Sequence, residues 1–234
     1  TRIEGFTFSD CSKLTSINIP EGVESIGKYA FSGCSELTTI SIPGGVTNIE
    51  DSVFRGCSKL SSISIPEGVE SIGYAAFSGC SGLASITIPS SVTSIGEYAF
   101  NGCSGLSSIS IPEGVESIEY AAFSSCSGLT SITIPPSVMY IGEEVFNGCN
   151  DVTIYGKAGS YAEAYADEKG IKFSIDKSFS QPAEKKALSD NNVTLSQTSY
   201  TYDGQPKKPS VTVKDGSIIL TENKDYTITY QNNV

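Results

Sequence analysis

A repeat of 23 residues runs through the chain from its start to about residue 149. Phenylalanine recurs at positions 8, 31, 54, 77, 100, 123 and 146, and cysteine recurs at 11, 34, 57, 80, 103, 126 and 149. Ile-Pro pairs begin at 19, 42, 65, 88, 111 and 134. A fixed period in the twenties is typical of a solenoid, in which each repeat forms one coil and neighbouring coils share a core. The sequence therefore predicts a stack of coils.

The repeat LSSISIPEGVESIGYAAFSGCSGL, which begins at Leu60, indicates how one coil is built. Its start follows the pattern L-x-x-I-x-I, which is typical of the strand in a leucine-rich repeat. Because Ser62 and Ser64 alternate with Ile63, we expect the isoleucine to face the core and the serines to face solvent. We predict a mainly β, leucine-rich repeat solenoid of right-handed coils, in which identical residues of successive coils form ladders.

The seven cysteines occupy the same position in successive repeats. A disulfide needs two side chains that converge, whereas residues at one position of stacked coils point in parallel. A metal site needs several thiolates around one point, which a line of cysteines does not provide. We therefore predict a column of buried free thiols that act as small apolar side chains, with no metal and no cofactor.

Polar residues occupy the outward positions of the predicted strands, and we call this set the strand face. Eleven of the twelve are serine or threonine, and none is charged or aromatic. The strand face is interpreted either as a docking surface for an extended partner protein or as a solvated sheet whose side chains merely tolerate the strand. The strand face comprises Ser16, Asn18, Thr39, Ser41, Ser62, Ser64, Ser85, Thr87, Ser108, Ser110, Ser131 and Thr133.

Paired glutamates occur in every second repeat, so the full repeating unit is 46 residues long. Since stacked strands lie about 4.8 Å apart, the pairs are expected about 10 Å from one another, as an acidic stripe. The stripe is interpreted as a solubilising surface or as a surface for calcium or a basic partner, although no calcium-loop motif is present. The acidic stripe comprises Glu21, Glu24, Glu67, Glu70, Glu113 and Glu116.

Four tyrosines also lie near one position of the repeat, namely Tyr29, Tyr74, Tyr98 and Tyr120. The tyrosines are interpreted either as exposed contact residues or as residues that pack on the turn.

Charge and composition exclude several classes of function. The formal net charge of -11 argues against nucleic-acid binding, which needs a basic surface. The chain has no histidine, which removes the most frequent general base and the most frequent zinc ligand. No apolar run is long enough to predict a membrane span. The sequence therefore predicts a protein that is not an enzyme.

The repeat pattern decays from Asn150, where an atypical unit is expected at the end of a stack. Ser160 is a plausible N-cap for a short helix with the sequence YAEAYADEK, and Gly170 is its expected end. Alternating apolar residues then predict a strand over residues 171–175. We interpret residues 150–175 as a C-terminal cap of the solenoid.

The composition changes after the cap. We predict a solenoid domain over residues 1–175, a polar linker over residues 176–190, and a second domain over residues 191–234. Short strand-like runs separated by turn residues favour a β-sandwich module in this last segment. About 44 residues is half of such a module, so we expect it to be truncated.

Residues 1–149, with stretches such as AFSGCSGLASITIPSSVTSIGEYAF, resemble the BspA-like leucine-rich repeats of bacterial and some protist surface proteins. The segment TIYGKAGSYAEAYADEKGIKF is similar to the closing unit of that family. YDGQPKKPSVTV and KDYTITYQNNV are similar to the opening of an immunoglobulin-like (Ig-like) module that often follows such repeats. The resemblance implies adhesion and host interaction at the cell surface, without shared catalytic residues.

These observations predict an extracellular or cell-surface protein that binds extracellular or host-surface proteins through its solenoid. The alternative is a structural spacer that displays another domain. The sequence does not indicate the oligomeric state.

Overall fold

The computed structural model describes residues 1–180, 193–195, 211–215 and 218–219. The chain divides into two compact units, Thr1–Gln181 and Pro182–Val234. The elements of the first unit are, in chain order, β1 (Arg2–Ile3), β2 (Ser25–Ile26), β3 (Thr39–Ser41), β4 (Asn48–Ile49), β5 (Ser62–Ser64), β6 (Ser71–Ile72), β7 (Ser94–Ile95), β8 (Ser108–Ser110), β9 (Ser117–Ile118), β10 (Ser131–Ile134), β11 (Tyr140–Ile141), β12 (Thr153–Gly156), α1 (Tyr161–Lys169), β13 (Lys172–Ile175) and a 3-10 helix (Lys177–Ser180).

The predicted strand of the repeat forms a parallel ladder along the stack. Strand β3 pairs with β5, and β8, β10, β12 and β13 form a four-stranded sheet. Within the repeats each residue pairs with the residue 23 positions later, as Ile40 does with Ile63 and Ile109 with Ile132. The isoleucine at the centre of each three-residue strand is buried between two exposed neighbours. The predicted parallel solenoid, with isoleucine inside and hydroxyl side chains outside, is confirmed.

The strand ladder has one interruption. Residues 84–89 carry the same sequence pattern as their neighbours, yet they form no strand. The sheet β3–β5 is therefore separated from the sheet that begins at β8. The expectation that identical residues of successive coils form strand ladders is wrong at this coil.

A second parallel ladder lies on another side of the coil, and the sequence interpretation did not include it. It is built from two-residue strands that carry a buried isoleucine, and β4, β6, β7, β9 and β11 follow one another in it. Strands β1 and β2 pair in the same way. Two residues are too few for an alternation to be recognised in the sequence, which explains why this ladder was not predicted.

The interior is a set of columns in which one residue type repeats. The seven phenylalanine rings, from Phe8 to Phe146, stack with centroids 5.1–6.1 Å apart and with interplanar angles of 5–12°. Offset stacking of aromatic rings adds to the stabilisation from apolar burial. The leucine, isoleucine and valine positions of the repeat line the same core. Each coil therefore covers the apolar side chains of the next.

The cysteine column is buried, as predicted, except at its first member. From Cys34 to Cys149, each Sγ donates a hydrogen bond of 3.1–3.2 Å to the carbonyl of the phenylalanine 26 residues earlier. Cys11 is exposed, so the prediction of a fully buried column is wrong there. Burial raises the pKa of the Cys34 thiol to about 11 and that of Cys57 to about 12. The Cys34 and Cys57 thiols are therefore neutral and unreactive at physiological pH.

Two positions of each coil adopt the left-handed backbone conformation. The first precedes the phenylalanine by two residues and always carries a side chain, with φ between 50° and 61°. The second precedes the cysteine and is usually glycine, which adopts this conformation without a steric penalty. The residues of the first set are Phe6, Tyr29, Ser52, Ala75, Tyr98, Ala121 and Glu144, and those of the second are Asp10, Gly33, Gly56, Gly79, Gly102, Ser125 and Gly148.

The C-terminal end of the stack is covered as the sequence predicts. Helix α1 begins after Ser160, whose side chain accepts a hydrogen bond from the Glu163 N–H, and it ends at Gly170 in the left-handed conformation. Tyr165 of this helix is buried, and its ring meets Phe146 edge to face at 6.1 Å. Strand β13 then extends the ladder beyond β12. The phenylalanine column therefore ends against a helix rather than in solvent.

In the second unit, three short strands are described: β14 (Val193–Leu195), β15 (Val211–Asp215) and β16 (Ile218–Ile219). Strand β15 pairs antiparallel with both β14 and β16. Val213 is buried. The Ig-like module over residues 191–234 stays a prediction, because most of that segment lies outside the described residues. The same holds for residues 181–190 of the predicted linker.

Candidate binding surface

The strand face is exposed along most of its length. Ten of its twelve side chains are exposed, and the remaining two, Ser131 and Thr133, are half-buried. The parallel register aligns the equivalent side chains of successive coils, as Thr39 with Ser62 and Ser108 with Ser131. The result is a set of aligned polar columns on each of the two sheets, with the interruption at residues 84–89 between them.

The hydroxyl groups of the strand face are available to a ligand. None of its twelve side chains makes a hydrogen bond with another residue in the described part of the chain. Neighbouring hydroxyls one position earlier behave differently, because Thr38, Ser61 and Thr130 each donate to the carbonyl of the residue 23 positions before them. Three hydroxyls of the preceding row thus bond between coils, whereas the strand-face side chains make no such bond with the described residues.

The acidic stripe is exposed at all six glutamates. Along one of its two rows the glutamates alternate with threonine, because the Glu70 N–H donates to the Thr47 carbonyl and the Thr93 N–H donates to the Glu70 carbonyl. This alternation separates neighbouring glutamates by two coils, about 10 Å. No group of three potential metal ligands comes together among the described residues, so calcium binding by the stripe stays a hypothesis.

Three of the four tyrosines form one aromatic cluster, which we call the tyrosine corner: Tyr74, Tyr98 and Tyr120. The corner lies where the chain turns after the second ladder, since β6 ends at Ile72 and β9 ends at Ile118. The Tyr98 ring meets Tyr74 edge to face at 5.7 Å and Tyr120 at 5.4 Å. Tyr74 and Tyr120 remain 46% and 38% exposed. The tyrosines therefore pack on one another and still present their rings to solvent.

Backbone hydrogen bonds link the coils that carry the tyrosine corner. The Ala75 N–H donates to the Glu97 carbonyl and the Tyr98 N–H donates to the Tyr120 carbonyl, at 2.8 and 3.0 Å. Burial among its neighbours, followed by the contact with Tyr120, raises the pKa of the Tyr98 hydroxyl. The Tyr98 hydroxyl therefore stays neutral at physiological pH. Tyr29 is separate from this cluster and stacks on Phe6 at 4.8 Å.

The sequence pattern that produces the tyrosine corner can be recognised only when the stacking of the coils is known. At one position of the repeat, successive coils carry Tyr74, Glu97, Tyr120 and Glu143, so that an aromatic ring alternates with a carboxylate. Tyr98 lies one residue further along its coil and fills the space between the two outer rings. Tyr98 thereby joins Tyr74 and Tyr120, which lie two coils apart, into one cluster.

Comparison with known proteins places the repeats in one family. The sequence model described as "BspA type Leucine rich repeat region (6 copies)" matches residues 1–107 and 47–159. No curated protein matches the chain. In the described part of the chain, no helix is long and apolar enough to cross a membrane.

Several solved structures share the fold. A leucine-rich repeat protein of T. pallidum is 28% identical, with a TM-score of 0.63 over 74% of this chain and 78% of its own. A leucine-rich repeat protein of Bacteroides ovatus is 29% identical, with a TM-score of 0.57 over 74% of this chain and 55% of its own. A leucine-rich cell surface protein of Faecalibacterium prausnitzii is 33% identical, with a TM-score of 0.56 over 71% of this chain and 53% of its own.

This chain thus spans just over half the length of the last two proteins. The two matches of the family model together cover residues 1–159, which is most of the solenoid. On these grounds the chain belongs to the BspA-type leucine-rich repeat family.

Proposed function

We propose that this chain is an extracellular or cell-surface module that binds other proteins through the side of its solenoid. BspA-like leucine-rich repeat proteins are often surface adhesion proteins, and leucine-rich repeats generally mediate contacts between proteins. One observation of the chain itself carries the proposal. Ten of the twelve strand-face side chains are exposed, and all twelve are free of side-chain hydrogen bonds with the described residues.

An extended segment of a partner protein is the ligand that this geometry supports best. Hydroxyls on neighbouring coils lie about 4.8 Å apart, and hydroxyls two residues apart on one parallel strand lie about 6.6 Å apart. Each hydroxyl both donates and accepts hydrogen bonds, so the strand face can satisfy the peptide groups and polar side chains of a chain laid along it. The hydroxyl face contributes no charge, so the salt dependence of binding through it is small.

A binding assay with charge substitutions tests the proposal. The full chain is screened against immobilised extracellular-matrix and host-cell surface proteins, and the variant S62K, S85K and S108K is compared with the natural sequence. Three lysines on the strand face place unpaired charges and long side chains between the partner and the sheet. We expect the affinity for the partner to fall at least tenfold.

A matched control places the same charges elsewhere on the same coils. Ser81, Ser104 and Ser127 are exposed on the turn before the strand, so the variant S81K, S104K and S127K is expected to bind within about twofold of the natural sequence. Equal binding by the strand-face variant and the natural sequence would contradict a role of the strand face. Failure to bind any protein in the screen would contradict the protein-binding function.

The spacer function is the second candidate, and one observation favours it. The strand face lacks the tyrosine, tryptophan and arginine side chains that usually dominate binding energy at protein interfaces. If the solenoid is a spacer, both lysine variants leave the binding properties of the whole protein unchanged. The screen above therefore separates the two functions.

The proposed location and the absence of catalysis have their own support and tests. The family and fold are typically non-enzymatic binding modules, and one similar structure is named as a cell surface protein. Antibody labelling of intact cells is expected to detect the solenoid before permeabilisation. Turnover in a broad hydrolase screen would contradict the non-catalytic assignment.

A further inference from the structure

The solenoid has a long stretch with only one sign of charge. From Leu60 to Gly156 the sequence contains no lysine and no arginine. The same stretch carries nine acidic residues: Glu67, Glu70, Glu97, Glu113, Glu116, Glu119, Glu143, Glu144 and Asp151. A partner that docks on these coils therefore meets a negative potential and gains from positive charge.

The tyrosine corner lies within this stretch, and two of the acidic residues directly precede its tyrosines in the sequence. Glu97 precedes Tyr98 directly, and Glu119 precedes Tyr120. Neither carboxylate forms a salt bridge with the described residues, whereas Glu143 in the next coil is paired with Lys169 at 2.9 Å. The corner thus combines exposed aromatic rings with carboxylates that are free to pair with a ligand.

We propose that the tyrosine corner, with Glu97 and Glu119, binds an extended segment of a partner protein that carries arginine side chains. A guanidinium group stacks on an aromatic ring and pairs with a carboxylate through two parallel hydrogen bonds, so one side chain uses both features of the corner. The three rings pack edge to face on a hydrogen-bonded backbone before any ligand arrives, which reduces the entropy lost on binding.

The spacing of the corner also favours an extended segment. Tyr74 and Tyr120 occupy the same position two coils apart, which corresponds to about 10 Å along the stack. In a polyproline II segment, side chains three residues apart project from the same side and are separated by about 9.3 Å. A segment with arginine at every third residue therefore places successive guanidinium groups in register with the two outer tyrosines.

A peptide-binding experiment on the full chain tests this inference. The probe is a fluorescein-labelled peptide of Arg-Pro-Pro repeats, and binding is followed by fluorescence anisotropy at several salt concentrations. We expect binding that weakens as salt increases. The variant Y74S and Y120S is expected to lower the affinity at least tenfold, and the variant E97Q and E119Q is expected to lower it three- to tenfold.

Two matched controls remove equivalent groups elsewhere. Replacement E67Q with E113Q removes two exposed glutamates of the acidic stripe, and Y161S removes an exposed tyrosine from α1. Both controls are expected to bind within twofold of the natural sequence. A peptide with citrulline in place of arginine keeps the protein unchanged and is expected to bind at least tenfold more weakly, which tests the guanidinium charge without any risk of misfolding.

Four outcomes would overturn the inference: no binding of the arginine peptide, equal binding of the citrulline peptide, equal losses in the control and corner variants, or binding of a neutral oligosaccharide at these tyrosines in place of the peptide.

The inference rests on the proposed protein-binding function, but experiments can contradict either one without the other. A partner that is lost with the strand-face lysines and retained with Y74S and Y120S overturns the corner alone. Peptide binding at the corner without any partner in the protein screen overturns the strand-face proposal alone.

Discussion

Phe77 of the interior column and Tyr74 of the tyrosine corner lie three residues apart in the sequence, yet the two positions differ in how much the residue type varies between coils. At the phenylalanine position every coil carries the same residue, and the five central rings are fully buried. At the position of Tyr74, successive coils carry seven residues of five types, from Gly5 to Glu143. At each of the two positions, the backbone hydrogen bonds between coils repeat along the stack.

The comparison separates what the fold requires from what it permits. A buried column accepts one shape, because a change in volume at one coil leaves a cavity or a clash with both neighbours. An exposed corner accepts any side chain that the backbone conformation tolerates. Recognition in such a solenoid is therefore to be sought where the register is kept and the residue type changes.

The largest effect is expected from truncating the interior column. Phe77→Ala removes a fully buried ring that stacks on both neighbouring rings, and we expect the free energy of unfolding to fall by about 3–5 kcal/mol. Tyr74→Ala removes a ring that is 46% exposed, and we expect a loss below about 1 kcal/mol. Urea denaturation followed by circular dichroism measures both. Similar losses would show that the corner is part of the core.

The next effect concerns the buried thiols and is seen at high pH. Burial raises the pKa of Cys57 and of Cys103 to about 12, against about 8.5 in an unfolded chain. The contribution of these neutral thiols to the free energy of unfolding is therefore fully present below about pH 8.5 and is lost as the pH rises towards 12. Each thiol is expected to contribute a loss of about 1.4 kcal/mol per pH unit in this window.

Denaturation between pH 9 and 11 measures this contribution. The variants Cys57→Ala and Cys103→Ala are expected to flatten the pH dependence by that slope each. Cys11→Ala, which removes an exposed thiol, serves as the control and is expected to leave the slope unchanged. An unaltered slope in the first two variants would contradict the assignment of these thiols as neutral and buried.

A smaller effect, a gain in stability, is expected at the buried residue Ser52. The hydroxyl of Ser52 is buried and has no hydrogen-bond partner in the described part of the chain, while Ala75 occupies the same position one coil later with a similar φ. Ser52→Ala should raise the free energy of unfolding by about 1–2 kcal/mol, because it removes an unsatisfied polar group. The reverse change, Ala75→Ser, should lower it by a similar amount. Thermal unfolding of both variants tests the pair, and a loss in Ser52→Ala would refute it.

The smallest effect is expected at the turn before the cysteine. Ser125 has φ of 59°, whereas the adjoining coils carry Gly102 and Gly148 at the same position. Ser125→Gly relieves the steric penalty and is expected to stabilise the chain by up to about 1 kcal/mol. Gly102→Ser is the matched opposite, because an added Cβ has space there, 3.7 Å from Gly79, and only the backbone conformation opposes it. Melting temperatures that move in the same direction for both variants would contradict this interpretation.

Much of the fold could be predicted from the sequence because the repeat multiplies each weak local signal. One alternation of serine and isoleucine is ambiguous, but its recurrence at 23-residue intervals identifies a strand and its partner together. The cap was readable as well, since Ser160 and Gly170 bracket the helix that the structure contains. The buried thiol column followed from position alone, and only its exposed first member, Cys11, differs.

The remaining features depend on contacts that a sequence does not display. The break at residues 84–89 was not predicted, although Ala84 stands where Thr38, Ser61 and Thr130 carry the hydroxyl that bonds to the preceding coil. The tyrosine corner depends on Tyr98 reaching across two coil boundaries, so the choice between packing and exposure could not be made in advance. The free state of the strand-face hydroxyls also became visible only when their neighbours were seen to bond internally.

The inter-coil hydrogen bonds have a mechanical consequence. They run along the axis of the stack, so a pull on the two ends loads them in tension, one coil boundary at a time. A released coil of 23 residues extends to roughly 75 Å or more and gives up about 5 Å of stack height. Under load the solenoid would therefore lengthen in steps of about 70 Å. Each step requires the hydrogen bonds of one further coil boundary to break, so the solenoid would act as an extensible tether.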